Sequence, residues 1–115
     1  MANNIQVRAT SRIKDGKLES FKQVAADCLA AVKAKDTGTT QYDWFFNDDE
    51  SVCVVRETYA DSDAVLQHMG HVGEHLGQLA AVADLELEVF GEPSPALVDA
   101  AAAFQPKVYK SFLGL

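Results

Sequence analysis

The sequence predicts an α+β domain in which a four-stranded antiparallel sheet carries its two main helices on one face. Three observations predict it. Residues 5–13 and 84–90 alternate apolar and polar side chains with the period of a half-buried strand. Residues 39–47 and 51–59 form a strand pair around the polar loop Asn47-Asp48-Asp49-Glu50. The two stretches that separate these strands repeat apolar residues at helical spacing.

Strand one places Ile5, Val7, Ala9, Ser11 and Ile13 on one face and Gln6, Arg8, Thr10 and Arg12 on the other. Asp15-Gly16 ends it. Leu18, Phe21, Val24, Ala25, Cys28, Leu29 and Val32 then mark a long amphipathic helix, which Gly38 is placed to stop after Lys33 and Lys35. In the hairpin, setting Phe46 opposite Cys53 puts Trp44 opposite Val55 and Tyr42 opposite Glu57, with Glu57 on the aromatic side; a slip of one residue would reverse that. Asp61 is a suitable N-cap for a helix beginning near Ser62. Glycines 70, 73 and 77 predict two shorter helices joined near Gly70–Gly73, because each glycine costs about 1 kcal/mol in a helix.

After the fourth strand, Gly91-Glu92-Pro93-Ser94-Pro95 is a break in which Ser94 can cap a short Ala-rich helix with Pro95 at its first position. Residues 107–112 form a candidate last strand. The order βαββαβ is the ferredoxin-like plan. We expect a main domain over residues 1–91 and an extension over 92–115 that packs on its own or a partner subunit. The face opposite the helices would hold Arg8 and Arg12 beside Glu86 and Glu88, together with Phe45 and Phe90. Paired charges among aromatics predict a homodimer formed through the sheet faces.

The chain has 115 residues, enough for one core; 48% hydrophobic and 23% charged residues are ordinary for a globular protein. The net charge of −7 and the lack of a Lys/Arg cluster argue against nucleic acid as a partner. No apolar run nears the roughly 20 residues of a membrane span, and the first residues lack a basic-then-apolar leader, so we expect no membrane partner and a cytoplasmic location. Cys28 and Cys53 lack C-x-x-C spacing and read as buried free thiols.

The run Tyr42…Glu57-Thr58-Tyr59-Ala60-Asp61…His68, set in this strand order, resembles the antibiotic-biosynthesis-monooxygenase-like superfamily of dimeric α+β barrels. More narrowly it resembles the quinol monooxygenase group, in which an acidic-aromatic-Asp stretch closing strand three precedes a helix bearing a histidine. The resemblance covers residues 5–90. It implies two sheets facing each other across a dimer, a pocket between sheet and helices in each subunit, and, for some members, oxygenation of phenolic or quinol-type molecules with no metal or flavin. Other members cleave haem with an Asn on strand one, a Trp on strand three and a His on the second helix. Here His68 fits the last position, but Val7, Ala9 and Tyr59 depart from the others.

An oxygenase without a cofactor must remove an acidic substrate proton beside a dry, aromatic-lined cavity. His68 is the candidate base, and Glu57 is a group that orients it or acts as base itself if burial raises its pKa. Tyr42, Trp44 and Tyr59 are the candidate aromatic wall and hydrogen-bond donors, and His71 and His75 candidate substrate contacts. The expectation is therefore a monooxygenase for an aromatic small molecule, with no cofactor and no metal. The alternatives are a non-catalytic ligand-binding or stress-related dimer using the same pocket, and a metal-binding protein using His68, His71 and His75, although no defined metal-ligand spacing is present.

Overall fold

The computed structural model describes residues 4–115. Its elements are β1 (Ile5–Ile13), α1 (Leu18–Lys35), β2 (Thr39–Phe46), β3 (Val52–Tyr59), α2 (Ser62–Val82), β4 (Ala83–Phe90), α3 (Pro95–Ala101) with a following 3₁₀ turn (Ala102–Phe104), and β5 (Lys107–Tyr109). The sheet order is β2-β3-β1-β4-β5, antiparallel except for β5, which runs parallel to β4. The fold is thus the ferredoxin-like α+β plan with one short added edge strand.

The hairpin register is the expected one, with Phe46 facing Cys53, Trp44 facing Val55 and Tyr42 facing Glu57. This register turns Cys53, Val55, Glu57 and Tyr59 toward the helices, where all four are buried. Both cysteines are buried free thiols.

Helix α2 is one continuous helix of 21 residues, not two. Asp61 caps it, its carboxylate accepting from the Ala64 N–H at 2.8 Å. Gly70, Gly73 and Gly77 all lie on its exposed side. The stripe Val65, His68, Val72 and Leu79 is buried along the opposite side, and this packing outweighs the local cost of the glycines.

Gly38 has a different task from the expected stop. Helix α1 already ends at Asp36, whose backbone is extended and whose N–H bonds to Val32 O. At Gly38, a Cβ would lie 2.5 Å from the Cβ of Ala64, so only glycine lets the turn after α1 press against the first turn of α2. That contact, with Ala60 N–H donating to Gly38 O at 2.8 Å, draws Asp36 toward α2.

The extension packs over its own sheet. Ser94 caps α3 by accepting from Leu97 N–H at 3.2 Å, and Leu97 enters the core cluster of Ile5, Tyr59, Val65 and Val89. The last strand covers only Lys107–Tyr109, shorter than expected. On the outer face Arg8 Nε donates to Glu88 at 2.6 Å, whereas Glu86 pairs with Lys107 at 3.6 Å and Arg12 lies opposite Asp84. Phe45 is 52% exposed there, and Phe90 stacks on Tyr109 at 5.4 Å. Among the described residues no helix is long and apolar enough to cross a membrane.

Candidate active site

Between the sheet and α2, and roofed by the extension, lies a cavity of about 320 Å³. That is near the lower end of the roughly 300–1,000 Å³ usual for small-molecule sites. The inward residues of β1, β3 and β4 form its floor, Tyr42 and Trp44 one wall, and Val65, His68 and Met69 of α2 another. Pro93, Leu97, Val98, Gln105 and Val108 complete the lining from the extension, a contribution that no periodicity in the sequence signals.

His68 is 6% exposed and sits between two tyrosine rings, with the centroids of Tyr42 and Tyr59 each 5.2 Å from its own. Its Nδ1 lies 2.9 Å from Oδ2 of Asp36, and the other oxygen of the same carboxylate lies 2.6 Å from Nδ1 of His71. Burial works to raise the Asp36 pKa, but the Thr39 hydroxyl at 2.6 Å and the two imidazoles more than offset it, and the carboxyl lies below its usual range. An ionised carboxylate only accepts hydrogen bonds, so both imidazoles donate from Nδ1. This assigns the tautomer of His68: its Nε2 is left as a free acceptor. Burial also pushes the His68 pKa below normal, against the pull of Asp36. The ring is therefore neutral at neutral pH and able to take a proton at Nε2.

That nitrogen lies 3.9 Å from Oε1 of Glu57. Tyr59 donates its hydroxyl to the same oxygen. Burial raises the Glu57 pKa to about 7, Tyr59 draws it down, and the charge of Asp36 adds to the rise. Tyr42 and Tyr59 are held as neutral phenols, chiefly by burial. The cavity thus presents a neutral base and, close to it, a carboxyl group that still carries its proton for much of the time near neutrality.

The structure brings His68, Glu57, Tyr42, Tyr59 and the ring of Trp44 to one cavity. It does not bring His71 or His75 there. His71 bonds to the other oxygen of Asp36, and His75, two turns of helix beyond His68, turns toward Gln78 at 3.2 Å, so neither lines the cavity. The three histidines do not converge, and among the described residues no cluster of three or more His, Cys, Asp or Glu side chains is arranged to hold a metal. Trp44 was expected to offer a hydrogen bond; its indole N–H is buried and unpartnered among the described residues. The orienting group is Asp36, not Glu57. Its only sequence signal is a pair of histidines three apart on α2, which would share one acceptor.

The family model described as antibiotic biosynthesis monooxygenase matches residues 4–81. Comparison with the curated proteins finds no match. Among solved structures, MupZ of Pseudomonas fluorescens superposes with a TM-score of 0.86 at 22% identity, covering 98% of this chain and 93% of that one. A Caulobacter crescentus protein assigned to antibiotic biosynthesis monooxygenase gives 0.71 at 26% identity, over 81% of this chain and 92% of that one. SnoaB, a cofactor-independent oxygenase of Streptomyces nogalater, gives 0.68 at 19% identity, over 81% and 96%. The chain belongs to the antibiotic biosynthesis monooxygenase family.

Proposed function

We propose that this chain is a cofactor-independent monooxygenase that oxidises an aromatic, quinol-type small molecule with molecular oxygen. The observation that carries the reading is the Asp36–His68 pair, which leaves Nε2 of His68 free on the wall of an apolar cavity. SnoaB, with the same fold, is described as a cofactor-independent oxygenase.

Nε2 of His68 takes the hydroxyl proton of a phenol, and Asp36 stabilises the imidazolium that results. The phenolate, held among apolar walls without water to solvate it, passes an electron to oxygen, and the two radicals combine at a ring carbon. Glu57 protonates the resulting peroxide, and loss of the ring-carbon proton to the Glu57 carboxylate breaks the O–O bond. One oxygen atom stays as a ring carbonyl, and the other leaves as hydroxide, which takes the proton held by His68 and becomes water. The substrate itself supplies all four electrons, as in phenol plus oxygen giving quinone plus water. No external reductant enters the balance.

A non-catalytic binding module would need no base at the cavity wall, and the placement of His68 favours the enzyme. We also propose that the working form is a homodimer, joined through the outer sheet face that carries Phe45 and Phe90. Oxygen consumption by metal-stripped protein against a panel of hydroquinones and small polycyclic phenols tests the reading. Uptake that collapses in His68→Ala and Glu57→Gln supports it. No uptake above autoxidation from a folded wild type contradicts it.

A further inference from the structure

Ser11 is 2% exposed and lines the same cavity from β1. Its place is set by register. Ser11 pairs with Cys53 on β3, whereas Glu57, four residues further along β3, pairs with Val7. Four residues of strand span on the order of 13 Å. Around Ser11 the lining is apolar, with Val55, Leu79 and Leu85.

A ligand cavity is mostly apolar and fixes orientation with a few placed polar groups, and the Ser11 hydroxyl is one such group. It is the polar group of the cavity's far end, opposite to His68 and Glu57. The geometry points to a second anchoring site at Ser11, and hence to a substrate with oxygen functions at both ends: an acidic hydroxyl at His68 and a hydroxyl or carbonyl at Ser11, joined by an apolar body. The inference rests on the proposed function for the identity of the reacting end only. The far anchor stands on burial and register.

The test uses the fluorescence of Trp44, the single tryptophan, whose ring lines the cavity and reports its occupancy. The probes are a graded series of 2-(ω-hydroxyalkyl)hydroquinones, the methyl-terminated counterparts, and ring-free 1-alkanols, titrated into wild type, Ser11→Ala and His68→Gln. At one tail length the hydroxyl-terminated probe binds wild type about 3- to 10-fold more tightly than its methyl partner, the size of one neutral hydrogen bond. Ser11→Ala abolishes that preference while binding the methyl-terminated probe as wild type does; His68→Gln leaves the preference intact. A preference that is equal in wild type and Ser11→Ala, or that is absent at every tail length, overturns the proposal. Alkanols whose binding depends on Ser11, combined with no oxygen uptake from any hydroquinone, remove the quinol reading and keep the anchor.

Discussion

Asp36 Oδ2 lies 2.9 Å from Nδ1 of His68 across 32 residues of sequence. This contact fixes which nitrogen of the imidazole faces the cavity. It depends in turn on the turn at Gly38, which has room for no side chain against Ala64.

Asp36→Asn tests the orienting role. An amide can donate as well as accept, so His68 is no longer held in one tautomer. We expect kcat to fall by roughly a hundredfold to ten-thousandfold with KM little changed, the size of effect seen when a histidine base keeps its place but loses its orienting carboxylate. The apparent pKa of His68 should fall further, because Asp36 is the group that holds it up. An NMR titration of the imidazole checks the second point.

Gly38→Ala should act on the same contact from a distance. The new methyl would meet the Ala64 side chain at 2.5 Å, and a fixed methyl cannot swing away. The expected cost is about 1–3 kcal/mol in chemical denaturation, with activity falling beyond what that loss explains because Asp36 moves with the turn.

The pH dependence has two limbs. Catalysis needs His68 unprotonated and Glu57 protonated, so kcat/KM should fall on the acid side below the usual histidine value of 6.5 and on the alkaline side above about 7. In the residual activity of Glu57→Gln the alkaline limb should be absent. Because the two groups interact, the limbs report values of the pair.

Stability should follow the same groups with definite signs. The folded state raises the pKa of Glu57, so between 4.5 and about 7 it holds the proton more firmly than the unfolded chain does. This contribution is complete below 4.5 and is lost as pH rises through about 7. Its size is about 3 kcal/mol, so Glu57→Gln should be the more stable protein at alkaline pH by up to that amount. His68 has the opposite sign: its pKa is depressed, and its contribution is lost as pH falls below 6.5. Denaturation midpoints of both proteins across this range check both.

Gly70→Ala, Gly73→Ala and Gly77→Ala should each stabilise. A Cβ at these positions meets nothing within 4 Å, and all three lie in helix. The gain is about 0.5–1 kcal/mol each, read as a rise in melting temperature with oxygen uptake unchanged.

Much of the fold was legible because it rests on short-range patterns. The alternation Ile5–Ile13, the caps at Asp61 and Ser94, and the register that seats Glu57 on the inner face all follow from side-chain periodicity and turn chemistry. The continuity of α2 was not legible, because a glycine count registers the local cost and not the burial of Val72 and Leu79 that offsets it. Asp36 was not legible for a related reason. A carboxylate just past a helix reads as a solvated end, and only the approach of Gly38 to Ala64 buries it against two histidines. Ser11 was placed on the correct face, but a serine in an apolar row carries no sign of the cavity in front of it.

The most direct measurement follows the oxygen atoms. Metal-stripped protein is allowed to turn over a responsive phenol or hydroquinone under isotopically labelled oxygen gas, alongside His68→Ala. One labelled atom is expected in the quinone product and one in water, with the rate falling by roughly a hundredfold or more in the variant. Product without label, or label appearing equally fast with His68→Ala, would contradict it.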